Sequence, residues 1–319
     1  MEANDKISVC KKYNIAVVLL LVIYFPHIIH AQQYDTVSVF NMPISLDTIV
    51  IKSGFDVGAF IKRVRNDTTF YKAFRSMHLK SYQSKNEIKV YDKKGEVIAG
   101  WNADAVQEYK NKCRQTRFIS QRTTGDYYKK NGDNNYYTSE LYDYLFFTKK
   151  AVCNENDIVA GAMETYGKGQ MEKNKYQLKQ LIFNPGSRIK GIPFMGDRVS
   201  IFDDGEMEHY NFKIWADTIS SQDCYVFRVT PKAGHEHKVI YNELTTWFRK
   251  EDYSILARDY ALSYGTLFYD FDVKMNVRTS LIDAKLYPTY IAYDGNWHIF
   301  TKKRERVKFK NTISYEAIK

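Results

Sequence analysis

The chain has 319 residues and a formal net charge of +10, with 44% hydrophobic and 26% charged residues. This composition, with only 16 Gly and 6 Pro, excludes a disordered, collagen-like or low-complexity protein, and a mean hydropathy of −0.48 excludes a helical membrane protein with many spans. Aromatic residues make up 15% of the chain, including 26 Tyr and 19 Phe, which favours β-structure because flat side chains suit a half-buried sheet surface.

The first 31 residues have the layout of a secretory signal peptide. Lys6 lies in a basic start, the apolar run Ile15–Phe25 follows, and cleavage is expected after Ala31. A run of 11 residues is short of the roughly 20 needed to cross a bilayer, so an uncleaved anchor is the less favoured alternative. Cys10 precedes the run and therefore cannot carry the lipid of a lipoprotein signal. We expect a soluble mature protein, periplasmic or secreted, whose basic charge suits anionic surfaces and not nucleic acid.

The mature chain begins with an extended lead-in over residues 32–53, followed by an amphipathic helix. Ser53 is the expected cap, an apolar stripe runs from Phe55 to Met77, and Asp67 is the expected start of a second helix. From residue 78 the period changes to two, and Asp92–Gly95 is the expected turn of a hairpin. Residues 150–181 fit a helix better.

The C-terminal third shows the clearest strand pattern. Residues 267–278 alternate between apolar and polar side chains, which predicts a strand with one buried and one wet face. Further strands are expected at 225–229, 239–249, 254–264, 286–293, 297–302 and 305–315, with a hairpin turn at residues 294–296. Consecutive antiparallel strands form a meander. The sequence therefore predicts a mainly β, α+β fold: a large antiparallel curved sheet or half-open barrel with an N-terminal helix and a helical insertion.

Few residues suggest chemistry. His235 and His237 would share one face of a strand and could meet one metal ion, but they follow a Pro-Lys-Ala-Gly segment that favours a solvated turn. Residues 203–206 are also best interpreted as a turn, since they lack a calcium-loop pattern. Asp270 and Asp272 share a strand face and could in principle act as an acid/base pair, but half-exposed strands routinely carry such acids. We expect no catalytic residue, metal or cofactor. Cys113, Cys153 and Cys224 allow at most one disulfide.

The last predicted strand carries a row of cations on one face. They are Lys302, Arg304, Arg306, Lys308 and Lys310. One interpretation is the charged face of an edge strand, which blocks edge-to-edge aggregation. The other is a contact for anionic lipid headgroups or an acidic partner.

Three stretches resemble the outer-membrane lipoprotein carrier (LolA-like) superfamily. They are the helix over 55–77 running into strands at 78–101, the segment Cys224–Lys232 followed by Thr246–Ile255, and the terminal strands. The resemblance covers residues 54–315 of a single domain expected over 54–319, and relative to that family residues 125–200 are a surplus that is expected to form an insertion. The resemblance implies a half-open barrel with an apolar cavity, lidded by helices, that holds acyl chains. No functional residue of that family maps onto this chain.

The leading hypothesis is a non-enzymatic extracytoplasmic protein that holds a lipid or lipoprotein acyl chain in an aromatic half-barrel. The expected cavity residues are Phe60, Phe74, Tyr269, Phe271 and Met275. The alternatives are an envelope-associated interaction protein without a ligand, and a secreted hydrolase that uses the two aspartates or the two histidines named above.

Overall fold

The computed structural model describes most of the chain after residue 33. The described residues are 34–40, 42–47, 54–158, 180–181, 183–186, 196–266, 269–299 and 303–316. Within these ranges, 13 strands form one sheet that is curved, unclosed and mostly antiparallel. This confirms the expected mainly β, α+β fold.

The strands and helices have the following bounds. The strands are β1 Tyr34–Val39, β2 Met42–Asp47, β3 Tyr82–Tyr91, β4 Val97–Lys110, β5 Cys113–Gly125, β6 Val152–Cys153, β7 Tyr210–Ile219, β8 Gln222–Pro231, β9 Tyr241–Arg249, β10 Ile255–Gly265, β11 Tyr269–Ile282, β12 Lys285–Ile299 and β13 Glu305–Ser314. The helices are α1 Val57–Asn66, α2 Thr69–Ser76, α3 Tyr137–Phe146 and α4 Asp204–Met207, with 3₁₀ turns at Met77–Leu79 and Gly196–Val199.

Across most of the sheet, neighbouring strands are also consecutive in the sequence. Its order is β1-β2-β7-β8-β9-β10-β11-β12-β13-β3-β4-β5-β6, so β7 to β13 form the meander that the sequence predicts. The extended lead-in supplies β1 and β2, and β2 pairs in parallel with β7. The last strand, β13, then pairs with β3, which connects the meander to strands β3 to β6 in one sheet.

The alternation predicted at residues 267–278 holds where β11 is described. Val273, Met275 and Val277 are buried, while Asp272 and Lys274 between them are exposed. We call the buried face, which the helices cover, the inner face, and the opposite one the outer face.

The hairpin turn expected at residues 294–296 is wrong, because β12 runs without interruption through them. The chain turns instead at Asp283 and Ala284, both in the left-handed region with φ of 50° and 58°. Gly295 serves a packing role: a Cβ there would collide with the ring of Tyr293, which folds over it on the same face.

The two N-terminal helices form as the pattern predicts, with a break at Asp67. Asp56 caps α1 by accepting from the Ala59 amide at 2.9 Å, and Ser53 lies outside the described residues. Asp67 ends α1 and caps α2, accepting from the Thr69 amide at 3.1 Å. The caps satisfy amides that have no partner within the helix.

The insertion is held to the sheet at both ends of its described part. Glu305, at the start of β13, accepts from the Tyr137 amide at 2.7 Å and the Thr138 amide at 3.0 Å, so it caps α3 from a distant strand. Residues 151–158 contain the short strand β6 and no helix, contrary to the expectation for that part of 150–181. Residues 159–179 of that predicted helix lie outside the described residues.

Two links fasten residues 151–158 to β5. Cys113 and Cys153 form a disulfide, while Cys224 is a buried free thiol. Next to the disulfide, Arg114 Nε donates to the carboxylate of Glu155, two residues after Cys153, at 2.5 Å. Burial alone would raise the pKa of Glu155, but hydrogen bonds and charge attraction from His78 and Arg114 outweigh it and lower the pKa to about 2.

Candidate functional site

An apolar, aromatic cluster fills the space between the inner face and the helices. Phe60 of α1 is buried within this cluster, with 2% of its surface exposed. Its ring centroid lies 5.1 Å from that of Phe248, 5.0 Å from Phe55 and 5.8 Å from Tyr253. Such tilted and edge-on pairs contribute beyond their buried area, so α1 is attached to the sheet mainly through this ring.

The other expected cavity residues lie along the same face where they are described. Phe74 of α2 is buried and stacks on Phe183 with centroids 4.0 Å apart. Met275 is fully buried, and Phe271 is half-buried against Tyr264 with centroids 6.4 Å apart. The side chain of Tyr269 lies outside the described residues. The structure thus places Phe60, Phe74 and Met275 in one cluster.

Three cavities meet at the break between α1 and α2, and Asp67 lines all of them. Their volumes are about 450, 270 and 220 Å³. The largest has Ala59 and Phe60 in its wall together with Tyr253 of the β9–β10 turn. A cavity at the break between the helices therefore reaches the cluster at Phe60.

One arginine ties α1 to the sheet beside these cavities. Arg63 Nη2 donates to the Asp252 carbonyl at 2.8 Å, and its guanidinium lies 5.0 Å from the Tyr253 ring centroid. The Asp252 carboxylate accepts from Arg249 and Ser254, and the Arg249 hydrogen bond is the main cause that lowers the pKa of Asp252. The turn that receives Arg63 is thus fixed by its own side chains.

The basic row of the last strand lies on the outer face. Arg306, Lys308 and Lys310 alternate along β13 with the buried Val307 and Phe309. Arg304 precedes the strand and donates to Asp270 at 2.7 Å. Lys302 lies outside the described residues.

The edge-strand interpretation of this row is wrong, because β13 pairs with β12 on one side and β3 on the other. Lys308 pairs with Asp294 of β12 at 2.7 Å. Lys310 lines an open groove of about 580 Å³ together with Lys85 and Arg122. These three cations form no ion pair within the described residues, and the carboxylates of Glu87 and Asp104 line the same groove, so its wall carries a small positive excess.

The two expected sets of binding residues therefore lie on opposite faces of the sheet. Phe309 and Met275 point to the helices, while the neighbours Lys308 and Lys310 point to the outside. A lipid buried among the aromatic rings could not reach the cations of β13 with its headgroup. Any binding by the two faces must involve separate contacts.

Two of the four residues of the hydrolase alternative, His235 and Asp270, have side-chain partners, while His237 and Asp272 are exposed. His235 Nδ1 lies 3.0 Å from His209 Nδ1, a pairing that the local sequence does not predict, and His237 is exposed in the same turn. Burial is the main cause that lowers the pKa of His235. Asp270 binds Arg304 and faces His298 at 3.7 Å. No group of three or more His, Cys, Asp or Glu side chains that could hold a metal ion occurs in the part of the chain that the structure describes.

No helix among the described residues is long and apolar enough to cross a membrane. No family model and no curated protein matches the chain.

Solved structures similar to this chain include members of the expected superfamily. A DUF1329 family protein from Desulfovibrio piger is 12% identical, with 84% of this chain and 93% of that chain covered and a TM-score of 0.22. A LolA superfamily protein from Nitrosomonas europaea is 11% identical, with 79% and 94% covered and a TM-score of 0.24. An outer membrane lipoprotein-sorting protein domain from Vibrio parahaemolyticus is 10% identical, with 81% and 91% covered and a TM-score of 0.24. The distant resemblance that the sequence predicts is thus found again among solved structures, and at these scores it carries no argument about what the chain binds.

Proposed function

We propose that this is a non-enzymatic extracytoplasmic binding protein that holds an acyl chain between the inner face and helices α1 and α2. The observation that carries the proposal is the continuous aromatic cluster, whose Phe60 lies in the wall of a cavity at the helix break. Burying an acyl chain there would gain roughly 0.8 kcal/mol per CH₂ group. The periplasmic or secreted location is part of the same proposal and follows from the leader sequence.

Entry of a ligand requires the helices to move, since the rings beneath them are in contact. Helix α1 has 10 residues and α2 has 8, and isolated helices shorter than ~12–15 residues are marginal in water. Both therefore depend on the ring contacts of Phe60 and Phe74 to stay in place. An acyl chain can replace those contacts with equivalent apolar ones. The ligand itself would therefore offset the free energy lost when the helices move away from the sheet.

A matched pair of substitutions tests this site. Ala59→Trp places an indole in the wall of the largest cavity from an exposed helix position, while Ala233→Trp makes the same change in the exposed β8–β9 turn. We expect the wild type and Ala233→Trp to take up a fluorescent fatty acid equally, and Ala59→Trp to bind it at least fivefold more weakly. Absence of uptake by all three proteins, or equal uptake by all three, would overturn the proposal.

The outer face supports a second, peripheral contact with an anionic membrane surface. Lys85, Arg122 and Lys310 line one groove without ion pairs among the described residues, and Glu87 and Asp104 in the same wall offset part of their charge. Each cation near an anionic surface contributes about 1 kcal/mol. We expect cosedimentation with phosphatidylglycerol vesicles and not with phosphatidylcholine vesicles. Lys310→Glu should weaken it and Lys62→Glu, the same charge change on α1, should not. Equal loss in both variants would indicate a net-charge effect and no specific face.

A further inference from the structure

One of the two buried arginines among the described residues, Arg258, lies on the inner face among apolar side chains. Arg258 of β10 is 6% exposed and stands in one cross-strand row with Phe227, Thr246 and Val277. Its Nε donates to Thr246 Oγ1 at 3.0 Å, and its guanidinium carbon lies 4.3 Å from the Phe70 ring centroid. A guanidinium in such surroundings is expensive to bury unless a negative group pairs with it.

No carboxylate forms an ion pair with Arg258 among the described residues. Asp67 attracts it electrostatically, but the Asp67 carboxylate already accepts from the Thr69 amide and hydroxyl and from the Phe70 amide. Burial lowers the pKa of Arg258 more than Asp67 raises it. An arginine remains charged at neutral pH in any protein environment, so the positive charge stays in place with little compensation.

Arg258 faces a cavity of about 270 Å³ whose wall contains both apolar and polar side chains. The apolar part comes from Val64, Phe202, Phe227 and Leu244. The polar part comes from Arg65, Asn66, Asp67, Asn184, Ser200, Asp203 and Thr246. Arg65 Nη2 donates a hydrogen bond to the Phe202 carbonyl oxygen at 3.2 Å. Arg258 is therefore the buried cation whose donors remain for a guest in this cavity.

We propose that this cavity receives the anionic end, a carboxylate or phosphate, of an amphiphile whose hydrocarbon part lies against Phe227 and Leu244. The inference rests on the proposed function. It adds that the preferred ligand is negatively charged and that Arg258 binds its charged group. A guanidinium offers two parallel donors to either group. The cavity lies at the α1–α2 break, so the charged end would remain close to solvent while the chain extends under the helices.

The test compares ligands of equal chain length on the mature protein by isothermal titration calorimetry. The probes are laurate, dodecyl phosphate, the neutral dodecanol and inorganic phosphate. We expect laurate or dodecyl phosphate to bind at least tenfold more tightly than dodecanol, the factor that a charge-assisted hydrogen bond supplies. Whichever of the two binds more tightly identifies the group as carboxylate or phosphate.

Two arginine variants locate the effect. Arg258→Met should reduce the preference to within twofold while leaving dodecanol binding unchanged. The matched control is Arg228→Met, which loses an equivalent 3.0 Å bond from Nε to the hydroxyl of Thr245 but lies half exposed on the outer face. Arg228→Met should keep the preference.

Each other result overturns something distinct. Equal binding of all three dodecyl compounds by the wild type overturns this inference and leaves the proposed function standing. Absence of binding by all three overturns both. Inorganic phosphate binding as tightly as dodecyl phosphate overturns the assignment to an amphiphile. If Arg258→Met does not fold, the wild-type comparison alone decides the question.

Discussion

The link between Glu155 and Arg114 gives the chain an acid-sensitive attachment that a conservative substitution can isolate. Glu155→Gln keeps the shape of the side chain and removes its charge. The pKa of Glu155 is lowered from 4.5 to about 2, so the native state gains stability from this carboxylate above pH 4.5. That stability is lost as the pH falls towards 2.

The size of the effect follows from the shift in pKa. Lowering the pKa of Glu155 by about 2.5 corresponds to a stabilisation of roughly 3 kcal/mol, at about 1.36 kcal/mol for each pH unit. The Glu155 side chain is 28% exposed, and solvent screening reduces the expected contribution to about 2 kcal/mol. Roughly half of this contribution should already be lost at pH 3.

The assay is urea unfolding of the wild type and Glu155→Gln at pH 7 and pH 3. We expect the variant to be about 2 kcal/mol less stable at pH 7 and about 1 kcal/mol less stable at pH 3. The control, Glu243→Gln, breaks a surface pair with Arg228 whose two side chains are 42% and 43% exposed, and it should cost under ~1 kcal/mol. A stability gap between wild type and Glu155→Gln that is the same at both pH values would refute the reasoning.

Three further perturbations test the packing. Glu305→Ala should cost about 2 kcal/mol, because it removes the cap of α3 formed with the amide and hydroxyl of Thr138; urea unfolding measures it, and a loss under 0.5 kcal/mol would contradict the cap. Replacing Cys113 and Cys153 by Ser should cost up to about 4 kcal/mol, since the bridge closes a loop across a separation of 40 residues; an unchanged melting temperature would mean that the disulfide does not form. Phe60→Ala should cost about 3–5 kcal/mol and increase proteolysis of α1, and resistance equal to wild type would show that another contact attaches this helix.

The features that sequence predicts well here depend on near neighbours in the chain. The alternation in β11 and the helix break at Asp67 arise from side-chain periodicity and capping, which a short window contains. The failure at residues 294–296 has the opposite cause. Asp, Gly and Asn are turn formers, yet Gly295 is required because the ring of Tyr293 covers it, and that packing is not visible in the local sequence.

The candidate site depends on distant pairings and was correspondingly harder to predict. Arg258 is followed by Asp259 in the sequence and looks like part of an exposed charged pair, but the sheet register turns it to the inner face. Likewise, His235 meets His209 across 26 positions. The placement of β13 between β12 and β3 also requires the whole sheet, so the basic row could not be assigned to an interior strand from its own residues.

The most direct test of the central claim is native mass spectrometry of the mature protein after gentle purification, followed by solvent extraction and lipid analysis. The account predicts a bound mass that fits an acyl lipid and is released by the solvent. A protein that carries no bound mass and takes up no fluorescent fatty acid would contradict the account and leave a protein whose sheet serves contacts with other macromolecules.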